Sequence, residues 1–179
     1  MNSEMTRATR RFALLAASAV AIGFASLLPT AAPAMAAAPL GYQLMCLKTP
    51  KECRGGGAAS VKASAEIMAT LKRVNAQVNR SITPRNDGAA DVWNASASSG
   101  DCEDYVLAKR RALIKAGLPP SALRIAYVKT RAGVGHAVLV VKTSKGDYAL
   151  DNLNQSIRPL SQTGYRVISI SGADPMQWS

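Results

Sequence analysis

Histidine is almost absent from this 179-residue chain, which has one, and cysteine is scarce at three. A single imidazole excludes the histidine-rich zinc sites and any mechanism that needs two histidines. Three thiols cannot all pair with one another, so one stays free and thiol chemistry narrows to that residue. Aromatic residues make up only 5% of the chain, and 11 acidic residues face 22 basic ones, for a formal charge of +11. Lysines and arginines are scattered from Lys48 to Arg166. A basic chain with so few aromatic stacking surfaces and no basic stripe is not built for nucleic acid, whereas acidic partners or membrane surfaces remain open. The densest basic run, Lys109, Arg110 and Arg111, falls mid-helix and reads as a solvated face.

Long apolar stretches are confined to the beginning. Arg7, Arg10 and Arg11 precede the run "FALLAASAVAIGFASLLP", and "AMA" follows as a small-residue cleavage site, the pattern of an export signal. Residues 1–36 are therefore expected to be removed, leaving 37–179 as one domain with enough chain to bury a core. The mature part keeps about +9 of charge, since the leader holds three arginines and Glu4. Export places the protein in the periplasm or outside the cell, where disulfides form. Cys46 and Cys53, in "MCLKTPKEC", can then close a short loop around a Lys-Thr-Pro turn, which in the chain-entropy estimate contributes roughly 2.5 kcal/mol. Cys102 is left as the free thiol.

Apolar residues at helical spacing in "VKASAEIMATLKRVNAQVN", namely Ile67, Leu71, Val74 and Val78, predict an amphipathic helix that ends before Pro84. Turn-forming and small residues make 83–100 a long loop, with Trp93 as its anchor in the core or as a pocket wall. A second helix is expected from Asp101, with the break "AGLPP" closing it. Beyond Leu123 the pattern changes to short β runs, "LRIAYVKT", "HAVLVVKT", "DYALDNL" and "YRVISI". Helices followed by strands in this order indicate an α+β domain, helices packed on one antiparallel sheet.

Cys102 stands between Asp101 on one side and Glu103 and Asp104 on the other. Those carboxylates oppose a thiolate, whereas the start of a helix favours one. A nucleophilic thiol needs a base and a group that orients the base. If the reversal between the second and third β runs centres on Ser144 and Lys145, Asp151 lies opposite Val138. His136 is then its diagonal neighbour on the same face, within reach of a carboxylate–imidazole hydrogen bond. Structural alternatives stay open for each residue: an inert buried thiol, a satisfied core histidine, a turn-forming aspartate. Asp101 could cap its helix while Glu103 and Asp104 complement the dipole.

The segments "GDCEDYVLAKRRALIKAGLP", "HAVLVVKT" and "YALDNL", together with "VNAQVN" and the Trp93 segment, resemble the bacterial transglutaminase-like cysteine proteinases across nearly all of the mature chain. The resemblance implies a papain-related, transglutaminase-like fold with Cys102 as nucleophile at a helix N-terminus, His136 as base and Asp151 orienting it. It also implies a cysteine endopeptidase acting through an acyl-enzyme. In the LapG-type periplasmic branch of that family, acids flanking the cysteine use Ca²⁺, and Asp101 and Glu103 match those positions. Partners implied by that branch are a protein substrate, of the kind of a cell-surface adhesin, and an inner-membrane regulator. The 93–100 segment is shorter and richer in Ala and Ser than in that branch. Two alternatives share the fold: an acyl transferase passing the acyl group to an amine, and a binding module without catalysis.

Overall fold

The computed structural model describes residues 36–88 and 91–179. The expected leader therefore lies outside the described residues except for Ala36. The α+β expectation holds: helices pack on a five-stranded antiparallel sheet. In chain order the elements are β1 (Ala36–Ala37), α1 (Leu40–Lys48), α2 (Ala65–Ser81), β2 (Thr83–Pro84), β3 (Ser99–Gly100), α3 (Cys102–Lys115), β4 (Leu123–Lys129), β5 (Gly135–Thr143), β6 (Gly146–Leu150), β7 (Arg158–Pro159), β8 (Arg166–Ile170) and β9 (Gln177–Trp178). The main sheet runs β7-β6-β5-β4-β8.

β5 is central and covered on both faces, which is why "HAVLVV" reads as an almost unbroken apolar run. Ala137, Leu139 and Val141 join the main core with Leu71, Val74 and Val78 of α2 and Tyr105, Val106 and Leu113 of α3. Val138 and Val140 join Ala126 and Val128 in a smaller cluster that Tyr165 and Ile170 close. Register between β5 and β6 pairs Thr143 with Gly146 and Leu139 with Leu150, the same reversal that the sequence implied. A left-handed glycine, Gly146 (φ 99°), makes that tight turn possible.

α1 was not anticipated: the segment containing Cys46 is a helix, and the disulfide links it to the following turn at Cys53, Cα–Cα 5.7 Å. Its apolar residues do not form one face, since Leu40, Leu44 and Leu47 are exposed while Tyr42, Met45 and Cys46 are buried. α2 begins later than the periodicity suggested, at Ala65, because the Ser64 hydroxyl accepts the Ile67 amide as an N-cap. The long loop is largely irregular, but its two ends pair in parallel, Thr83 with Ser99 and Pro84 with Gly100.

Burial of α3 overturns one expectation. Lys109 and Arg110 are not on a solvated face: they are 0% and 1% exposed. Arg110 is enclosed because its guanidinium donates to the carbonyls of Glu52 and Arg54. It thereby ties the disulfide turn to the helix through both terminal nitrogens of its guanidinium. Only Arg111 keeps the surface character expected of the run, bridging to Glu52 at 2.9 Å.

Candidate active site

Cys102 is the first residue of α3; its thiol donates to Glu103 Oε2 at 3.5 Å, and the backbone amide of Ala137, the residue after His136, is near enough to favour a thiolate. The start of the helix is thus docked on the start of β5. Gly100 is part of the reason: a Cβ there would collide with the Asp104 carboxylate. With no side chain in the way, Asp104 folds back to accept the Asn94 amide at 2.8 Å and the Asp101 amide, half of a capping box. Capping is therefore done by Asp104. Asp101, the residue expected to cap, makes no side-chain bond to the helix.

That leaves Asp101 free to face Glu103. Asp101, Cys102 and Glu103 each offer an atom within a cluster 4.8 Å across. Asp101 Oδ1 and Glu103 Oε1 are buried and have no hydrogen-bond partner. Burial first, then the neighbouring Asp101 carboxyl, push Glu103 up to about 9. Burial, followed by the Glu103 charge, pushes the Cys102 thiol up to about 12, against the Ala137 amide that favours the thiolate. Two orphaned hard oxygens aimed at one point fit a calcium-type cation, with backbone carbonyls and water completing its shell.

On the sheet side every oxygen is used. His136 Nε2 is 2.8 Å from Asp151 Oδ1, and both side chains are buried. Asp151 Oδ1 also accepts the Leu153 amide at 2.9 Å. Its Oδ2 accepts the Tyr165 hydroxyl at 2.6 Å and Asn154 Nδ2 at 3.2 Å. Burial alone would raise the Asp151 carboxyl, but these bonds, the His136 one first, outweigh it and hold the group well below the ordinary carboxylate range. Because Nε2 is committed to Asp151, Nδ1 is the nitrogen left to exchange a proton with a thiol.

Several residues of this site escaped the sequence reading. Tyr165 stacks edge-on to His136, ring centroids 5.8 Å apart, while it holds Asp151. Asn75 and Asn79 of α2 clamp the loop after β6: Asn75 donates to the Asn154 and Gln155 carbonyls, and Asn79 to the Asp151 carbonyl at 2.9 Å. The signal was present in "VNAQVN", two asparagines four apart beside an apolar stripe, a place where a polar side chain needs a reason. Lys109 is buried beneath the site, its ammonium 5.8 Å from the Tyr105 ring centre and without a hydrogen-bond partner. Burial pulls it down to about 7, opposed by the Asp151 charge. Trp93 belongs elsewhere. It packs edge-on to Tyr42 at 5.4 Å and lines a cavity with Leu44, Met45 and Arg111, so it anchors the α1 flank.

Residues 32–179 match the family model described as bacterial transglutaminase-like cysteine proteinase. The chain belongs to this family. It is therefore a cysteine peptidase by descent. No curated protein sequence matches it. Among solved structures it resembles calcium-bound Legionella pneumophila LapG, with TM-score 0.55 and 23% identity over 63% of this chain and 68% of that one. EGTA-treated L. pneumophila LapG gives TM-score 0.51 and 23% identity, covering 61% of this chain and 64% of that one. At this identity the likeness speaks for the fold of the proteinase.

Proposed function

We propose that this proteinase is an exported endopeptidase in which Cys102, His136 and Asp151 act as a triad on a protein substrate. The observation that carries this reading is the buried His136–Asp151 bond at 2.8 Å, which commits Nε2 and leaves Nδ1 for the thiol of a helix start docked on the same strand. His136 Nδ1 takes the Cys102 proton as the sulfur attacks the scissile carbonyl. The Cys102 amide, at the N-terminus of α3, helps hold the oxyanion. The imidazolium, stabilised by Asp151, then gives its proton to the leaving amine, and water releases the acyl group by the reverse sequence.

Asp101 and Glu103 would hold Ca²⁺ here, supported by their orphaned oxygens and by the calcium-bound state of L. pneumophila LapG. A bound dication offsets the two carboxylates that otherwise disfavour the thiolate. Following the LapG likeness, the substrate is a cell-surface protein, an adhesin being the first to examine, and an inner-membrane partner would regulate access. Export rests on the leader pattern of residues 1–36.

The test is to compare surface proteins of cells carrying wild-type protein or Cys102→Ala. A protein that accumulates uncut only in the variant, and that purified wild-type protein cleaves at one site with Ca²⁺, supports the reading. Stable linkage of an amine dye to the substrate without cleavage would instead establish the acyl-transferase alternative.

A further inference from the structure

Beside His136, a groove of about 560 Å³ to which no α3 residue contributes opens between the β4–β5 hairpin and the loop after β6. Its walls include Arg131, Val134, Leu153, Arg158 and Tyr165, with His136 at one end; Cys102 does not line it. Val134 and Leu153 are 61% and 63% exposed. No acidic residue lines the groove. Arg131 and Arg158 are exposed, and neither forms a salt bridge among the described residues. The nearest carboxylate, Asp151, is 3% exposed and its oxygens are already bonded.

We propose that this groove is the subsite for the part of the substrate that leaves. It takes an extended segment, immediately C-terminal to the cut, that carries an Asp or Glu among apolar residues. The inference rests on His136 being the acid that protonates the leaving amine. That amine must depart on the His136 side, while the acyl half stays on Cys102, so a groove lined by the imidazole but not by the thiol receives the departing half. Arg131 and Arg158 supply planar, two-pronged partners for a carboxylate, and the exposed Val134 and Leu153 cover its apolar neighbours. Arg158 also lies close enough to Tyr165 for its charge to be felt at the hydroxyl that holds Asp151.

The experiment uses the whole mature protein in two formats. First, a library of peptides from a digested proteome is cut by the proteinase in Ca²⁺, and both sides of each cut are read by mass spectrometry. Asp and Glu should be enriched at least about threefold in the three positions after the cut, and Lys and Arg depleted. Arg131→Glu with Arg158→Glu should reverse that preference, and Arg131→Gln with Arg158→Gln should erase it. Secondly, fluorescein-labelled Ala-Asp-Leu-Glu and Ala-Lys-Leu-Lys are titrated into Cys102→Ala by anisotropy, where no turnover is required. The acidic peptide should bind about tenfold tighter than the basic one, more so at low salt, and lose that advantage in the double glutamine variant. Cutting with no charge preference, or a preference that the arginine variants keep, overturns the subsite while leaving the proteinase reading intact. Arginine-dependent binding of the acidic peptide without any cutting supports the groove and fails the catalytic reading instead.

Discussion

The two halves of the site are finished to different degrees. On the sheet side, Asp151 has four hydrogen bonds to its two oxygens, and Asn75 and Asn79 hold the loop that carries it. On the helix side, Asp101 and Glu103 each keep a buried oxygen without a partner, next to a thiol that they disfavour. The same fold thus builds one half from its own atoms and leaves the other with polar atoms unsatisfied. Burying a carboxyl group without a partner is costly, and Glu103 meets that cost by holding on to its proton, which a cation bound between it and Asp101 would displace. The imidazole is held in advance; the thiol is not.

Removing either reacting group should have the largest effect. Cys102→Ala and His136→Ala are each expected to lower kcat/KM by about 10⁴-fold or more with an unchanged melting temperature, whereas Asp151→Asn should cost less because the thiol and imidazole remain. Cleavage assays with thermal melts in parallel check this. Wild-type rates in either alanine variant would remove the triad from consideration.

The contrast between halves is broken most directly with a chelator. EGTA should lower both activity and melting temperature, Ca²⁺ should restore both, and Mg²⁺ should restore them poorly because it demands a tighter octahedral shell. Asp101→Ala or Glu103→Ala should abolish the calcium response. The His136–Asp151 half should not notice: the histidine NMR signal of chelated protein should keep the chemical shift of a bonded Nε2. A wild-type protein that is equally active and equally stable in EGTA, with no Ca²⁺ binding by calorimetry, would reduce the acids to charges at a helix start.

Legibility in the sequence followed the same divide. The His136–Asp151 pairing could be reached from turn position alone, because strand pairing obeys a period of two and one residue of slip would have sent His136 to the wrong face. The free thiol followed from an odd cysteine count. What stayed hidden depends on long-range geometry. Tyr165 reaches Asp151 across 14 residues that include β7, and Asn79 reaches it across 72. Tyr165 leaves no local pattern, and the asparagines of "VNAQVN" mark a polar need on α2 without naming the loop that they reach. The burial of Lys109 and Arg110 was misread because a basic triplet is locally indistinguishable from a solvated face until both flanks of α3 are known to be covered. Asp101 was taken for the cap because position favours it, while Gly100, by lacking a Cβ, hands that task to Asp104.

A smaller effect sharpens the account of the finished half. Tyr165→Phe removes one of the four bonds to Asp151 but keeps the ring against His136. Activity should fall about tenfold, the low end of what a hydrogen bond to a charged group is worth, because three other donors remain on Asp151. The acid limb of the pH–rate profile should move, because Asp151 with one donor fewer stabilises the imidazolium more strongly. That limb shifts to higher pH. A loss as large as that of Asp151→Asn would mean that Tyr165, rather than the carboxylate, orients the ring.

Lys109 separates stability from chemistry and should change turnover least. Its ammonium is fully buried beneath the site with an aromatic face and the Asp151 charge as company, and burial holds it at about 7 instead of the ordinary lysine value near 10.5. Between those two values the unfolded chain binds a proton that the folded one releases, so the folded state gains stability as pH rises through this window. The penalty is full below about pH 7 and gone above about 10.5. Lys109→Met keeps the volume and removes the charge, so it should stabilise the protein by a few kcal/mol at pH 6 and by progressively less toward pH 10. Denaturant melts of both proteins at pH 6, 8 and 10 measure the difference. A Lys109→Met variant less stable than wild type at pH 6 would show that the ammonium is held by partners worth more than its burial costs, and the site would then be stabilised from below by charge as well as by packing.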